Sequence, residues 1–376
     1  MPKATGQPLH PSQKIAWLRL IRTPNVGPQT FRQLVNRTGS AEAAIAALPR
    51  LAGRAGMAPR IPSAAEAEDE LAALERLGGR MVASGEPDYP PLLHHISGAP
   101  PLVSIVGGAR LELLRTVAIV GARNASAAGQ RMTNMLAGDL GQRGYTIVSG
   151  LARGIDAAAH KASLATGTVA VLAGGIDQIY PEENLPLARA IIEHGGMLLT
   201  EMPFGWRPRA QDFPRRNRLV SGLSLGVVVV EAARRSGSLI TARLALEQNR
   251  DVFAIPGSPL DQRSEGGNHL IQQGAKLVTG AEDIIETLSV ADPSRSRLLE
   301  PDWDPEPDSL FDILSAEPST DDRARLMEAL SVTPTAIDAI IAATGMASSA
   351  IQILLLELDL AGRIEWSSGQ LVALRA

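Results

Sequence analysis

The amino-acid sequence predicts an α/β protein whose central domain is a Rossmann-like, doubly wound and mostly parallel sheet. Between residues 100 and 288, short β-branched segments alternate with stretches of helical periodicity. Parallel strands joined by right-handed helical crossovers produce this alternation. The predicted strands are residues 102–106, 117–120, 145–149, 169–173, 197–200, 227–231 and 252–255.

Two further domains are predicted to flank the sheet. Apolar residues recur at helical spacing from residue 11 to residue 83. The Val26-Gly27-Pro28 turn resembles a helix-hairpin-helix (SAM-like) domain, although the turn is short and common and a purely structural bundle is the favoured interpretation. Acidic residues mixed with prolines then predict a flexible linker, followed by three helices and a hairpin in winged-helix order. The predicted boundaries are 1–83, 84–290, 291–320 and 321–376.

The composition excludes several classes of protein. The chain of 376 residues has no cysteine, which removes disulfides, thiolate metal sites and cysteine nucleophiles. No apolar run approaches the roughly 20 residues of a spanning helix, and the first ten residues lack the apolar core of a signal peptide. We therefore expect a soluble, cytoplasmic protein with no membrane partner. Because no Walker A motif, metal-ligand cluster or catalytic constellation is present, we expect no enzyme, no cofactor and no metal.

Two turns at the predicted carboxyl edge of the sheet have the composition of anion sites. Gly121 and Arg123 stand between a strand and a helix, where amide groups and a positive helix end face an anion. Ser149, Gly150 and Arg153 follow the next strand in the same way. Neither the G-x-G-x-x-G pattern nor an acidic residue at the end of the second strand is present, which argues against a dinucleotide.

Two later segments combine cations, an aromatic residue and hydroxyl groups. The net charge of −4 by itself disfavours nucleic acid, but its distribution matters more, and arginines are concentrated in one segment. An aromatic residue, three arginines and an asparagine at a helix start are suited to phosphate contacts and base stacking; these are Phe213, Arg215, Arg216, Asn217 and Arg218. A small-residue turn after an apolar strand offers further phosphate donors, one of which simple capping explains; its members are Ser236, Gly237, Ser238 and Thr241.

Three features that look catalytic have simpler interpretations. The segment Gly222-Leu223-Ser224-Leu225-Gly226 matches G-x-S-x-G but precedes a strand, whereas a nucleophile elbow follows one. Asp156 is interpreted as a helix cap. His160 is interpreted as a packed or surface helix residue rather than a base.

The order of these motifs along the chain resembles the DNA processing protein A (DprA) family. The resemblance covers roughly residues 89–278 and rests on the segments GARNAS, SGLARGID, LAGGIDQIYPEEN, TEMPFG, FPRRNRLVSGLS, VVVVEAARRSGSLITA, VFAIPG and GGNHLIQQGA. The helical domain and the winged helix resemble those of the fuller members. One departure is Ala122, where the family commonly has serine, so no hydroxyl contact is expected there.

The resemblance implies sequence-independent binding and protection of single-stranded DNA and loading of the RecA recombinase during natural transformation and recombination. It also implies a homodimer formed through the Rossmann-like domains. Carried over position by position, it places the DNA pocket at Gly121, Arg123, Ser149, Gly150, Arg216, Asn217, Arg218, Ser236, Gly237 and Ser238.

Two other functions remain open. Cytokinin-activating phosphoribohydrolases, which are nucleotide-binding enzymes, share the broad fold and a Gly/Thr turn after a hydrophobic strand. Their P-G-G-x-G-T pattern and following glutamate are absent from residues 236–241. A duplex-reading regulator would use the winged helix, but the predicted recognition helix, residues 348–360, contains two acidic residues and no lysine or arginine.

Overall fold

The computed structural model describes residues 6–53, 60–109, 111–289, 319–367 and 371–375. The chain divides into two compact units. We call Asp69–Pro301, together with Met1–Pro8, the sheet unit. Leu9–Glu68 and Asp302–Ala376 form the terminal unit, which therefore combines segments from both ends of the chain. Most of the predicted linker lies outside the described residues.

The secondary structure follows the predicted alternation closely. The helices are α1 Pro11–Ile21, α2 Pro28–Thr38, α3 Ala41–Gly53, α4 Ala64–Arg76, α5 Ala127–Gln142, α6 Ile155–Ala162, α7 Leu185–Glu193, α8 Asp212–Gly222, α9 Gly237–Glu247, α10 Glu265–Gln272, α11 Ala281–Ser289, α12 Thr320–Ala329, α13 Ile337–Thr344 and α14 Ser348–Leu360. The strands are β1 Gly79–Ala83, β2 Leu102–Gly107, β3 Thr116–Val120, β4 Thr146–Ser149, β5 Thr168–Val171, β6 Met197–Thr200, β7 Gly226–Val229, β8 Asp251–Ala254, β9 Lys276–Leu277, β10 Thr335–Ala336, β11 Ile364–Ser367 and β12 Leu371–Leu374.

Within the described residues, the sheet unit contains one nine-stranded sheet in the order β1-β2-β6-β5-β4-β3-β7-β8-β9. The strands β6, β5, β4, β3, β7, β8 and β9 are parallel to one another, and β2 pairs antiparallel with β6. This arrangement confirms the predicted mostly parallel α/β fold, which also has the predicted helical domain before it and the winged helix after it.

The parallel strands are buried on both faces. In β3, Val117 and Ile119 belong to one apolar cluster. Ala118 and Val120, whose side chains point to the opposite face, belong to the other. Burial on both faces explains why these strands are continuous apolar runs in the sequence rather than alternating ones.

The helical pattern was predicted to continue to residue 83, and this is wrong at its end. Gly79–Ala83 forms strand β1, which pairs antiparallel with β2. The helix stops because Gly78 adopts a positive φ of 75°, a conformation that glycine accepts at the end of a helix. A Cβ on Gly79 would lie 2.4 Å from the Leu74 side chain and 3.0 Å from the Ile105 carbonyl oxygen, so β1 begins at a closely packed position.

The terminal unit joins the helical domain to the winged helix through α14. Leu356 and Leu360 of α14 complete an apolar cluster whose other members come mostly from α1, α2 and α3. At the predicted helix-hairpin-helix turn, Asn25 Nδ2 donates to the Leu360 carbonyl at 3.1 Å. The Thr30 hydroxyl donates to Asp359 Oδ2 at 2.6 Å, and burial raises the pKa of this carboxyl group. The predicted recognition helix is thus packed against the helical domain.

The winged helix itself has the predicted composition of three helices and a hairpin. Helices α12, α13 and α14 pack around an apolar cluster, and β12 pairs with both β11 and the short β10. Of the predicted hairpin turn, residues 367–370, the last three lie outside the described residues. No helix in the described part of the chain is long and apolar enough to cross a membrane.

Replacing Leu360 by alanine should destabilise the helical domain even though Leu360 belongs to the winged helix, because the substitution leaves a cavity in the shared cluster. The expected loss in the free energy of unfolding is about 2–5 kcal/mol. Urea unfolding followed by the fluorescence of Trp17, which packs edge-to-face on Phe31, measures it once the other tryptophans are replaced. Val332, 66% exposed, is the control position, where alanine should change the value by less than about 0.5 kcal/mol. An unchanged Trp17 transition in the Leu360→Ala protein would contradict the packing.

Candidate nucleic-acid interface

The predicted site residues lie at the carboxyl edge of the parallel strands. From β3, the sheet continues through β4 to β6 on one side and through β7 to β9 on the other. The switch point of the sheet therefore lies between β3 and β7, and open sheets bind ligands in the crevice outside such a point. All the site residues predicted from the sequence lie at this edge. They are found at the end of β4, in the loops after β3, β4 and β7, and in the first two turns of α8 and α9.

A carboxylate from within the protein occupies the first predicted anion site. Glu231, in the loop after β7, accepts a hydrogen bond from the Ser126 N–H at 3.0 Å and one from the Ser126 hydroxyl. Ser126 is the N-cap of α5, and a Cβ on Gly129 would lie 2.5 Å from the Glu231 carboxyl carbon. The prediction that this helix end offers free amides to an external anion is therefore wrong.

Arg123 instead takes part in an exposed stack of aromatic rings. Its guanidinium carbon lies 5.5 Å from the centroid of the Phe213 ring, and the Phe213 ring lies 5.4 Å from the Tyr180 ring at an angle of 60°. Arg123 is exposed, and Tyr180 is 53% exposed. We call these three residues the first stack. They come from three separate loops or helix starts, and they present a cation and two rings to solvent.

The loop after β4 is held by buried groups. Ser149 is completely buried, and its hydroxyl donates to the Ile119 carbonyl at 2.6 Å. Asp156 was predicted to cap its helix, and this is wrong, because Gly154 is the N-cap of α6. Asp156 Oδ2 instead accepts the backbone N–H groups of Gly150 at 3.1 Å and Ala152 at 3.4 Å. Burial raises the pKa of Asp156, although the nearby Arg216 opposes the shift.

The arginines of α8 differ sharply in their surroundings. Arg216 is only 6% exposed, and its Nη1 donates to the carbonyls of Gly150 at 2.5 Å and Val171 at 2.6 Å. Burial lowers the pKa of this guanidinium to about 10, so it stays charged. A Cβ on Gly150 would lie 2.1 Å from Arg216 Nη1. Arg216 therefore binds the protein's own loops and presents no cation to solvent.

The two neighbouring arginines contact one carboxylate. Arg218 forms an ion pair with Glu201 and donates to the Gly98 carbonyl at 2.7 Å. Arg215 Nε lies 3.8 Å from the same carboxylate, but its side chain is 51% exposed. Arg218 thus anchors α8 to the loop after β6, whereas Arg215 keeps a cationic surface toward solvent.

The start of α9 combines capping groups with an exposed glycine. Ser236 is the N-cap, accepts the Ser238 N–H at 3.4 Å and shares a 2.7 Å hydrogen bond with the Ser238 hydroxyl. Thr241 is buried and donates to the Gly237 carbonyl at 3.5 Å, and Asn217 Nδ2 donates to the same carbonyl at 3.3 Å. Local capping therefore accounts for Ser236, while the Asn217 contact joins α8 to α9.

Other residues singled out in the sequence have defined partners. Arg153 is 59% exposed and forms an ion pair with Glu183 at 2.7 Å. His160 is completely buried, its Nδ1 lies 2.7 Å from the Thr168 hydroxyl, and burial lowers its pKa to about 3. The prediction of a packed helix histidine is confirmed. Among the described residues, no three histidine, aspartate or glutamate side chains are grouped so as to hold a metal ion.

Sequence reasoning missed two residues that shape this edge. Tyr180 belongs to the segment LAGGIDQIYPEEN, but no periodicity marks a loop tyrosine as part of a stack. Its exposure beside the conspicuous aromatic Phe213 becomes visible only in the fold. Glu231 is the last residue of the predicted strand 227–231, and an acidic residue at the end of an apolar strand is a sequence signal that the crevice holds its own anion.

Comparisons with known proteins agree with this architecture along most of the chain. The profile of the family described as DNA recombination-mediator protein A matches residues 80–289. A DprA-like N-terminal HHH domain matches residues 11–73, and a DprA winged helix domain matches residues 296–370. The fold and these matches define a DNA-processing protein built on a Rossmann-like sheet. The chain belongs to the DNA recombination-mediator protein A family.

Individual relatives are similar over different shares of the chain. Protein Smf of Escherichia coli is 45% identical over 59% of this chain, and the match spans 60% of that protein. A putative DNA processing protein DprA of Mycobacterium tuberculosis is 36% identical over 96% of this chain and 94% of its own length. The crystal structure of DprA from Streptococcus pneumoniae is 34% identical, with a TM-score of 0.61 over 74% of this chain and 98% of that one. A Helicobacter pylori DNA processing protein A, whose structure is described for its single-stranded DNA binding mode, is 30% identical, with a TM-score of 0.50 over 56% and 95%.

Exchanging Arg216 for methionine should lower the free energy of unfolding of the sheet unit by at least about 2 kcal/mol, because two buried carbonyl oxygens lose their donor. Arg215→Met is the matched control on the adjacent residue, and a change below about 0.5 kcal/mol is expected there. Urea unfolding followed by circular dichroism compares the two. Equal, small effects at both positions would contradict the structural role of Arg216.

The pH dependence of stability should carry the signature of His160. The unfolded imidazole takes up a proton near pH 6.5, whereas the folded one does so only near pH 3. Its contribution to stability is therefore complete above about pH 6.5 and is lost as the pH falls, at about 1.4 kcal/mol per pH unit. His160→Gln should flatten the curve of unfolding free energy between about pH 4.5 and pH 6.5. Parallel curves for the two proteins, measured by urea unfolding, would show that the imidazole is not held neutral.

Proposed function

We propose that this protein binds single-stranded DNA without sequence preference at the carboxyl edge of the sheet unit. The observation that carries the proposal is the first stack, in which Arg123 lies over Phe213 and Phe213 contacts Tyr180. Every base has a π-face, so aromatic platforms bind bases of any sequence, and an arginine beside them adds a phosphate partner.

The phosphate contacts come from exposed groups around this stack. Arg123 and Arg215 contribute cations, and Arg153 contributes another when Glu183 releases it. Gly237 exposes backbone at the start of α9, where helix dipole and amide groups favour an anion. The proposed contact residues are Gly121, Arg123, Arg153, Phe213, Arg215, Asn217, Ser236 and Gly237, together with Tyr180. Gly150, Ser238 and Thr241 are buried and are not proposed as contacts.

Three predicted pocket residues have a different proposed role. Ser149, Arg216 and Arg218 donate to carbonyl oxygens or pair with a carboxylate inside the sheet unit. In the proposal they position the loops that contact DNA, and their side chains do not contact it themselves. Substitutions at these positions would therefore act on folding as well as on binding.

The wider biological role is part of the same proposal. Family membership supports DNA processing in recombination and natural transformation, in which the bound strand is protected and passed to the RecA recombinase. We include in the proposal a cytoplasmic location and a homodimer formed through the sheet units. No catalytic step is proposed, since the acidic groups at the edge are engaged: Glu231 by Ser126, Asp156 by loop amides and Glu201 by arginines.

Reversing the charge of Arg123, or removing the Phe213 ring, should abolish most single-strand binding while the fold is retained. Loss of one stacking side chain costs about 1–3 kcal/mol per base, which is about 5- to 150-fold in affinity. Fluorescence anisotropy with oligo-dT measures the affinity of Arg123→Glu and Phe213→Ala. Arg123→Gln should also reduce the slope of log affinity against log salt by about 0.7, the value of one phosphate contact on a single strand.

The matched control is Arg115→Glu. Arg115 is also exposed and stacks on an aromatic ring, lying 4.6 Å from the centroid of Tyr145. It precedes β3, however, and so belongs to the amino edge of the sheet. Wild-type affinity in the folded Arg123→Glu protein, or equal losses in Arg115→Glu and Arg123→Glu, would refute the proposed site.

A further inference from the structure

We propose a second nucleotide subsite beside the first stack, formed by Trp206 and Arg209, on which the next base of the same strand stacks. This inference rests on the proposed function and extends it, because it gives the DNA a second platform and a direction along the edge. Single-stranded DNA is bound by successive stacking platforms along a cationic path. We call these two residues the second stack.

The second stack repeats the construction of the first. The Arg209 guanidinium carbon lies 4.4 Å from the centroid of the Trp206 ring, just as Arg123 lies over Phe213. Trp206 is half-buried, whereas the Arg209 side chain is 56% exposed. The outer face of the pair is therefore a planar guanidinium, a surface on which a base stacks and whose edge donates to phosphate.

A buried carboxylate holds the second stack in place. Asp212 Oδ2 accepts the Trp206 indole N–H at 3.0 Å, the Arg209 backbone N–H at 2.9 Å and Arg209 Nε at 3.4 Å. Burial by itself would raise the pKa of Asp212, but these hydrogen bonds outweigh it and hold the pKa below its usual value. The ring and the guanidinium are thus fixed before any ligand arrives, which lowers the entropy that binding costs.

Hydrogen bonds to neighbouring loops hold the rest of the loop. The Trp206 carbonyl accepts the Gly175 N–H at 2.8 Å, and Asp177 accepts the Gly205 N–H at 2.7 Å. Asp177 is itself half-buried and bonded to Gln178. Arg207, between the two stack residues, is exposed. Arg207 and Arg209 are offset by Asp177 and Asp212, so this loop is close to neutral and the subsite binds through stacking.

The two stacks are connected through the start of α8. Asp212, which anchors the second stack, and Phe213, which belongs to the first, are consecutive residues in the first turn of that helix. A strand that stacks on Phe213 and continues toward the loop after β6 therefore meets Arg209 and Trp206 next. The ligand class is a single-stranded nucleic acid segment whose bases are unpaired.

The test compares Trp206→Ala with Trp206→Phe across a series of oligo-dT lengths from about two to about twelve nucleotides. Both variants lose the hydrogen bond to Asp212, but only alanine loses the ring. We expect Trp206→Ala to lower affinity about 5- to 150-fold for the longer oligonucleotides and to leave the shortest binding oligonucleotide unaffected. Trp206→Phe should stay close to wild type at every length. The longer oligonucleotides should also quench tryptophan fluorescence in the wild type, and Trp206→Phe should lose this quenching.

Two results would overturn the second subsite. One is that Trp206→Ala binds oligo-dT of every length with wild-type affinity. The other is that Trp206→Ala and Trp206→Phe lose affinity equally, which would indicate that Trp206 acts only through the structural hydrogen bond of its indole. Circular dichroism of each variant verifies the fold. Phe213→Ala, measured in the same series, separates the two proposals, since its loss should extend to the shortest oligonucleotide. Failure of the wild-type protein to bind any oligo-dT would refute the proposed function and the subsite together.

Discussion

The guanidinium of Arg216, buried beneath the ends of β4 and β5, fixes the geometry of the carboxyl edge. Burying a charge costs free energy unless it is paired and hydrogen-bonded, and here the Gly150 and Val171 carbonyls and the charge of Asp156 compensate it. Asp212 and Phe213 stand four and three residues before Arg216, so all three lie on one side of α8. The buried Arg216 therefore determines the positions of Asp212, which holds the second stack, and of the Phe213 ring, which belongs to the first.

Carboxylates of the protein set how much positive charge remains exposed at the carboxyl edge of the sheet. Glu231 occupies the end of α5, Glu201 engages Arg218, and Glu183 engages Arg153. These contacts neutralise part of the positive charge at the crevice within the protein. The exposed arginines at this edge include Arg123 and Arg209, which lie over aromatic rings, and Arg215, Arg234 and Arg235. For the proposed function this means that stacking contributes most of the binding and electrostatics less, because few counterions are released when few phosphates are contacted.

The sequence was most informative where burial dictates residue type. The β-branched runs of β3 and β7 were located to within one or two residues because both faces are buried. The two-residue edge strand β9 gives too short a pattern to detect. Within α8, residue type alone does not separate Arg215 from Arg216. Helical periodicity does distinguish the buried Arg216 from the exposed Arg215. Arg216 lies on the same face of α8 as the buried Leu219 and Val220, which follow it by three and four residues. Phe213 was predicted to stack on bases, but its contacts with Arg123 and Tyr180 escaped prediction, because they join loops that only the sheet topology brings together.

The terminal unit shows why a winged helix need not be a duplex reader. In duplex-reading winged helices the recognition helix enters the major groove, and basic residues grip the flanking phosphates. Helix α14 has no lysine or arginine, and its acidic groups are used inside the unit: Glu357 pairs with Arg323 at 3.1 Å, and Asp359 accepts from Thr30. Its apolar face completes the core of the helical domain. Because the surface that would read a duplex is used for packing, the exposed stacks of the sheet unit are the better candidates for contact with nucleic acid.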